Sequence, residues 1–236
     1  MKSIKSQIPN CITLLNLLSG ATAVILSFHY NEMIGQLTAC QWAFIFIGAA
    51  AVFDFCDGAS ARLLGAYSPL GKELDSLADL TSFGLAPSML MYNTMVYYND
   101  GNPFCPWAFV PLLIAAFGAL RLARFNIDTR QTTSFIGLPI PSCAIFFIGF
   151  IGWIQSHAYP ANWLTALITV AVALLMVSPI RMFSLKFKNF GLKDNFRRYV
   201  ILIAAILFVT SNGVAGLAWT ILLYILISAV GSKAEA

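Results

Sequence analysis

The chain has 236 residues, of which 59% are hydrophobic and only 10% charged, and its mean hydropathy is +0.78. A water-facing surface needs about 25% charged residues, so this composition excludes a soluble enzyme and a disordered chain. The net charge of +4 is too small to suggest a nucleic-acid partner, and the five cysteines, at positions 11, 40, 56, 105 and 143, form no CxxC pair and read as small apolar residues.

Eight apolar stretches follow in chain order, at about 11–30, 38–62, 74–98, 106–125, 139–157, 162–180, 197–211 and 214–231. A bilayer-spanning helix takes roughly 20 residues, so the expected fold is an all-α, polytopic membrane bundle. Tyr159-Pro160-Ala161-Asn162 and Ser211-Asn212-Gly213 read as tight turns between successive spans. Eight spans with an inside N-terminus leave segments 1–10, 62–75, 121–138, 181–198 and 232–236 inside, and these hold all 14 basic residues. Basic residues mark the cytoplasmic side, so both termini are expected there. Lys2 and Lys5 before an apolar run imitate a signal peptide. The run from Cys11 to Phe28 is nevertheless longer than a signal core of roughly 7–15 residues, and an uncleaved first helix is expected.

Acidic residues are expensive inside membrane spans and mark function there. Asp54 and Asp57 lie three residues apart near the end of the second span, and Asp75 and Asp79 lie four apart at the start of the third. Those spacings put each pair on one helical face, and the intervening turn brings four carboxylates together below the cytoplasmic surface. Such a group cannot stay ionised without cations. Arg62 and Lys72 are too few to neutralise four acids. Both histidines, His29 and His157, fall on the other side, so the donors are all oxygen and suit Mg²⁺, Mn²⁺ or Ca²⁺ rather than zinc. Four carboxylates suffice for two such ions side by side, an arrangement used in phosphoryl transfer. Gly58 and Ala61 share the face of Asp54 and Asp57, where a flat group can approach the backbone, and Arg62 follows as a candidate phosphate ligand.

The stretch Asp54-x2-Asp57-Gly58-x2-Ala61-Arg62-x8-Gly71-x3-Asp75-x3-Asp79 carries eight fixed residues across 26 positions, and it resembles the signature of the CDP-alcohol phosphotransferases. The resemblance implies a membrane enzyme with six core helices and a two-metal site for Mg²⁺ or Mn²⁺, usually homodimeric, that releases CMP from a CDP-activated donor. It implies metal binding by Asp54, Asp57, Asp75 and Asp79, the role of base for Asp79, and nucleotide or diphosphate contacts from Gly58, Ala61, Arg62 and Gly71.

Further segments are similar to the serine-accepting branch of that family, whose members join CDP-diacylglycerol to L-serine. They are Ile8-Pro9-Asn10-x2-Thr13-x2-Asn16, Glu73-Leu74-Asp75-Ser76-Leu77-Ala78-Asp79, Ser82-Phe83-Gly84-x-Ala86-Pro87, Arg121-Leu122-Ala123-Arg124-Phe125-Asn126, Gly137-Leu138-Pro139-x-Pro141 and Leu175-Met176-Val177-Ser178. The likeness covers about 8–185. The whole chain, 1–236, is expected to form one membrane-embedded domain, with two extra helices at about 197–231. Asn10 and Thr13 are candidates for CDP-diacylglycerol contact, although after Pro9 they also suit a helix start. Arg121, Arg124 and Asn126, level with the aspartates, are candidates for reading the serine carboxylate, while a single arginine there also serves as ordinary inside anchoring. Arg181, Lys186, Lys188 and Lys193 read as an anionic-lipid contact. Two alternatives remain: another acceptor, such as glycerol 3-phosphate or an inositol phosphate, and a cation transporter lined by aspartates. Against the transporter, every intramembrane acid lies at one membrane face.

Overall fold

A computed structural model describes residues 7–127, 134–185, 191 and 195–234. Among these, nine α-helices carry the chain: α1 (Gln7–Ser27), α2 (Ala39–Leu64), α3 (Pro69–Asp79), α4 (Ala86–Tyr97), α5 (Leu112–Ile127), α6 (Ile140–Ser156), α7 (Asn162–Met176), α8 (Phe196–Asn212) and α9 (Gly216–Ala234). The helices follow the eight apolar stretches, with α3 and α4 sharing the third. Among the described residues, four helical runs are long and apolar enough to cross a membrane: Gln7–Ser27, Ala39–Leu64, Pro106–Ile127 and Phe196–Gly231. The protein is a helical, multi-pass membrane protein. α6 and α7, with 17 and 15 residues, are shorter.

The chain divides into two compact units, Met1–Leu122 and Ala123–Ala236. In the first, α1 packs along α2 and also touches α3 and α4. The buried face of α1 is Pro9, Thr13, Asn16, Ser19, Gly20, Ala23 and Ser27, recurring at helical spacing. These are small or polar residues, whereas Leu14, Leu15, Leu18 and Ile25 on the same helix are exposed. That inversion of the soluble pattern follows from lipid being the solvent: apolar side chains lose nothing by facing outward, and small residues let backbones approach. Gly20 shows how closely, since a Cβ there would lie 2.5 Å from the Cα of Ser82.

Local signals set the ends of the helices. β1 (Met33–Ile34) pairs antiparallel with β2 (Leu37–Thr38), and Gly35 turns between them at φ +69°. Thr38 then opens α2 with a capping box: its hydroxyl accepts from Gln41 N–H at 3.2 Å, and the Gln41 side chain accepts from Thr38 N–H at 3.0 Å. Gly65, at φ +57°, closes α2 in the left-handed conformation that glycine adopts without strain. Ser68 caps α3 by accepting from Gly71 N–H at 2.9 Å, with Pro69 at the first helical position, where its missing N–H costs nothing. The third helix thus begins at Pro69, ahead of the apolar stretch at 74–98. Between α3 and α4 lies a π-helical turn, Leu80–Leu85, closed by Ala86 N–H donating to Thr81 O. Pro87 follows, and its ring disfavours the ordinary helical path past the carbonyl four residues back.

In the second unit α6 packs on α9, and α8 packs on α9. The reversal between α8 and α9 falls at Gly213, φ +57°, where the sequence placed a turn. Gly149 and Gly152 of α6 meet Ala218 and Val214 closely: a Cβ at Gly149 would lie 2.2 Å from the Ala218 nitrogen. β3 (Ser134–Ile136) pairs antiparallel with β4 (Arg181–Phe183). The pairing is held by Tyr224 donating to Phe183 O at 2.9 Å and Arg198 Nε donating to Ser184 O at 2.8 Å. Lys186, Lys188 and Lys193 of the expected lipid contact lie outside the described residues, and Arg181 is exposed.

The contact at Gly20 yields a prediction. Gly20→Ala forces α1 away from Ser82 and should destabilise the first unit by about 1–3 kcal/mol, lowering the thermal unfolding midpoint of the detergent-solubilised protein. An unchanged midpoint would show that the two helices do not need this approach.

Candidate active site

The last three turns of α2 and the whole of α3 place the acids. Helical spacing puts Asp54 and Asp57 on one face of α2, and the short connection through Gly65 and Ser68 returns the chain so that Asp75 meets them. One carboxylate oxygen from each of Asp54, Asp57 and Asp75 lies within 4.8 Å of the other two. Asp57 is 6% exposed, and Asp54 and Asp75 are half-buried. Asp79, one helical turn beyond Asp75, lies within electrostatic reach of all three. Three of the four predicted acids thus form one cluster, and Asp79 follows a helical turn beyond Asp75, outside that cluster. Their donor set is entirely hard oxygen, and close carboxylates in a weakly polar setting fit divalent cations such as Mg²⁺ or Mn²⁺.

A cavity of about 220 Å³ adjoins Asp57 and Asp75. Asn10, Thr13, Gly58, Ala61 and Gly71 line it, so five of the six residues expected to hold the donor surround one space. The sixth, Arg62, is exposed and is not among the lining residues. Asn10 comes close to α3, since a Cβ at Gly71 would lie 3.2 Å from Asn10 Oδ1. Ala66, Tyr67, Ser68 and Lys72 also line the cavity. They sit in the turn and the first turn of α3, outside the spaced motif, and only their position between the paired acids pointed to them.

Thr13 does more than line the cavity. Its hydroxyl lies 2.6 Å from Asp57 Oδ2 and 3.0 Å from Pro9 O. With one proton to give, it favours the carboxylate, at a length typical of a charge-assisted O–H···O⁻ bond. Three residues on, Asn16 is fully buried, and its Nδ2 donates to Asp79 Oδ1 at 3.4 Å. Asn16 Oδ1 is buried with no hydrogen-bond partner among the described residues. Leaving a buried acceptor unmet costs about 1–3 kcal/mol, a cost this amide carries while its donor side faces Asp79. The sequence signal for it was an asparagine in an apolar span, three residues after a threonine.

The three candidates for the acceptor carboxylate are placed differently from one another. Arg121 is 7% exposed and belongs to the unit that holds the aspartates, whereas Arg124 and Asn126 belong to the second unit. Arg124 is exposed and Asn126 half-buried.

Asp57→Asn removes one charge from the cluster and leaves the Thr13 hydroxyl only a neutral amide oxygen to donate to. It should weaken Mn²⁺ binding to the purified protein by at least about tenfold, since a charge-assisted hydrogen bond alone contributes about 1.5–3 kcal/mol. Electron paramagnetic resonance of free Mn²⁺ measures this, and wild-type affinity in the variant would remove Asp57 from the metal set.

Comparison with known proteins accords with this geometry. The CDP-alcohol phosphatidyltransferase family profile matches residues 6–178. A CDP-diacylglycerol–serine O-phosphatidyltransferase of Bacillus subtilis (strain 168) is 38% identical over 174 residues, covering 74% of this chain and 88% of that protein. A protein of the same name from Methanocaldococcus jannaschii is 34% identical over 175 residues, covering 74% of this chain and 72% of its own length. An archaetidylserine synthase of Methanothermobacter thermautotrophicus is 35% identical over 175 residues, covering 73% and 68%. The matched region contains all four aspartates and every residue lining the cavity, and this chain belongs to the CDP-alcohol phosphatidyltransferase family.

Proposed function

We propose that the protein transfers the phosphatidyl group of CDP-diacylglycerol to the hydroxyl of L-serine, forming phosphatidylserine and CMP. The observation that carries this reading is the joining of three carboxylates within 4.8 Å to a cavity lined by the motif residues Gly58, Ala61 and Gly71. Serine as acceptor rests on the names of the relatives, all three of which specify it.

In this reading Asp54, Asp57, Asp75 and Asp79 hold two divalent cations, Mg²⁺ or Mn²⁺. Bound there, the cations would orient the diphosphate of the donor and stabilise the charge that develops on departing CMP. Gly58, Ala61 and Gly71 leave room for the nucleotide against the backbone, with Asn10, Thr13 and Arg62 as further donor contacts. The diacylglycerol tails stay in the bilayer while the head enters the cavity. Arg121, Arg124 and Asn126 are assigned to the serine carboxylate, where guanidinium groups give paired hydrogen bonds. Asp79 accepts the proton of the serine hydroxyl as that oxygen bonds to the lipid-linked β-phosphorus. The bond from that phosphorus to the bridging oxygen breaks, and CMP leaves with the bridging oxygen. The whole chain acts as one domain of a homodimer, as the family resemblance implies, with both termini and the site on the cytoplasmic side. Support for that orientation is the charge count, since the inside segments hold all 14 basic residues.

Two experiments test the reading. Purified protein given CDP-diacylglycerol, Mn²⁺ or Mg²⁺ and a panel of alcohols should release CMP with serine alone, and chelation should stop it. Turnover with glycerol 3-phosphate or an inositol phosphate instead of serine would change the acceptor and leave the family chemistry in place. Asp79→Asn should lower kcat by at least about 10²-fold, the scale of a general base, and near-wild-type turnover would remove Asp79 from that role. For the orientation, Gly101→Cys should react with an impermeant maleimide in right-side-out vesicles, and Tyr67→Cys only in inside-out ones. The reverse pattern would invert the topology.

A further inference from the structure

We infer that Thr13 and Asn16 of α1 are positioning residues that set the relative placement of the metal-binding aspartates of α2 and α3. The inference deepens the phosphotransferase reading and rests on it for its kinetic half. Three residues apart, the two side chains share one face of α1. Thr13 donates to Asp57 Oδ2 at 2.6 Å, and Asn16 donates to Asp79 Oδ1 at 3.4 Å. One helix thus touches an acid from each of the other two. Each bond occupies one carboxylate oxygen and so selects the plane of the carboxylate, leaving the second oxygen directed elsewhere.

The backbone of α1 is itself held in register with the helix that bears Asp79. Ser82 Oγ donates to Asn16 O at 2.9 Å, and Gly20 admits Ser82 so closely that a Cβ would lie 2.3 Å from its Oγ. Ser82 lies in the π-helical turn directly after Asp79, and π-turns recur at functional sites because they re-aim side chains. Thr13 and Asn16 are 3% and 0% exposed, so neither bond is exchanged for water in the folded protein.

The test uses full-length protein in nanodiscs, with two readouts. Mn²⁺ affinity, read by electron paramagnetic resonance without lipid donor or serine, should fall about tenfold in Thr13→Val, the loss expected for one charge-assisted hydrogen bond. Thr13→Ser retains the donor and should stay within about twofold of wild type. Equal affinity in the Val variant and wild type, or equal loss in Val and Ser, would overturn the role of Thr13, the first by showing no effect on the metal and the second by tracing it to packing. At saturating Mn²⁺, Asn16→Ala should lower kcat for CMP release about tenfold with KM for CDP-diacylglycerol within about twofold. Asn16→Ser, whose hydroxyl is too short to reach Asp79, should behave alike. A raised KM with unchanged kcat would instead make Asn16 a donor contact and overturn its positioning role. Should wild type release no CMP with any alcohol, the phosphotransferase reading fails, while the Mn²⁺ affinities still decide whether Thr13 positions Asp57.

Discussion

Mutual repulsion among the aspartates is the constraint on which the rest of the structure depends. Two carboxylates whose oxygens lie up to 4.8 Å apart repel by roughly 3–4 kcal/mol at an effective dielectric of about 20. The cluster holds three such pairs before Asp79 is added. Folding α2 against α3 therefore brings together groups that push the helices apart, and cations held between the acids would turn that repulsion into attraction. The tight helical connection through Gly65 and Ser68, with a cap at each side, supports the close approach from the covalent end. Packing of α1 along α2 and against α3 supports it from the other side.

The role of α1 explains its composition. A helix that only filled space in lipid would have no use for Thr13 and Asn16 on its buried face. Here they meet Asp57 and Asp79, while the exposed side is Leu14, Leu18 and Ile25. Polar side chains in the membrane interior are tolerated where they find partners inside the protein. Gly20 and Ser19 on the same face keep the helices close enough for those short side chains to reach. The π-helical turn Leu80–Leu85 adds to the same arrangement by bringing Ser82 to the backbone of Asn16.

Much of this site was legible because the α-helix is periodic. Spacings of three and four residues pair Asp54 with Asp57 and Asp75 with Asp79 on single helical faces, and Gly58, Ala61 and Gly71 of the same spaced motif line the cavity. Arg62, one residue past Ala61 and so turned by about 100° around the helix, stands exposed and off the cavity lining. The start of α3 was less legible, since hydropathy marks where a helix becomes apolar and not where it begins. Ser68 and Pro69 open it five residues before the apolar stretch at 74–98. The pairing of Ser134–Ile136 with Arg181–Phe183 joins segments far apart in the chain, and neither is long or alternating enough to read as a strand.

By itself the sequence determined that this protein lives in a membrane and roughly where its helices run, and it singled out four carboxylates with small residues between them as the candidate reactive end. Composition and helical period are local properties, and they are sufficient for those conclusions. Tertiary structure decided which side chain serves which. Only the packing of α1 on α2 and α3 shows that Thr13 meets Asp57 and Asn16 meets Asp79, contacts across 44 and 63 residues of chain. No periodicity reports on a neighbour that far away, because such contacts depend on how closely whole helices approach, and here that approach is set by Gly20 and Ser82.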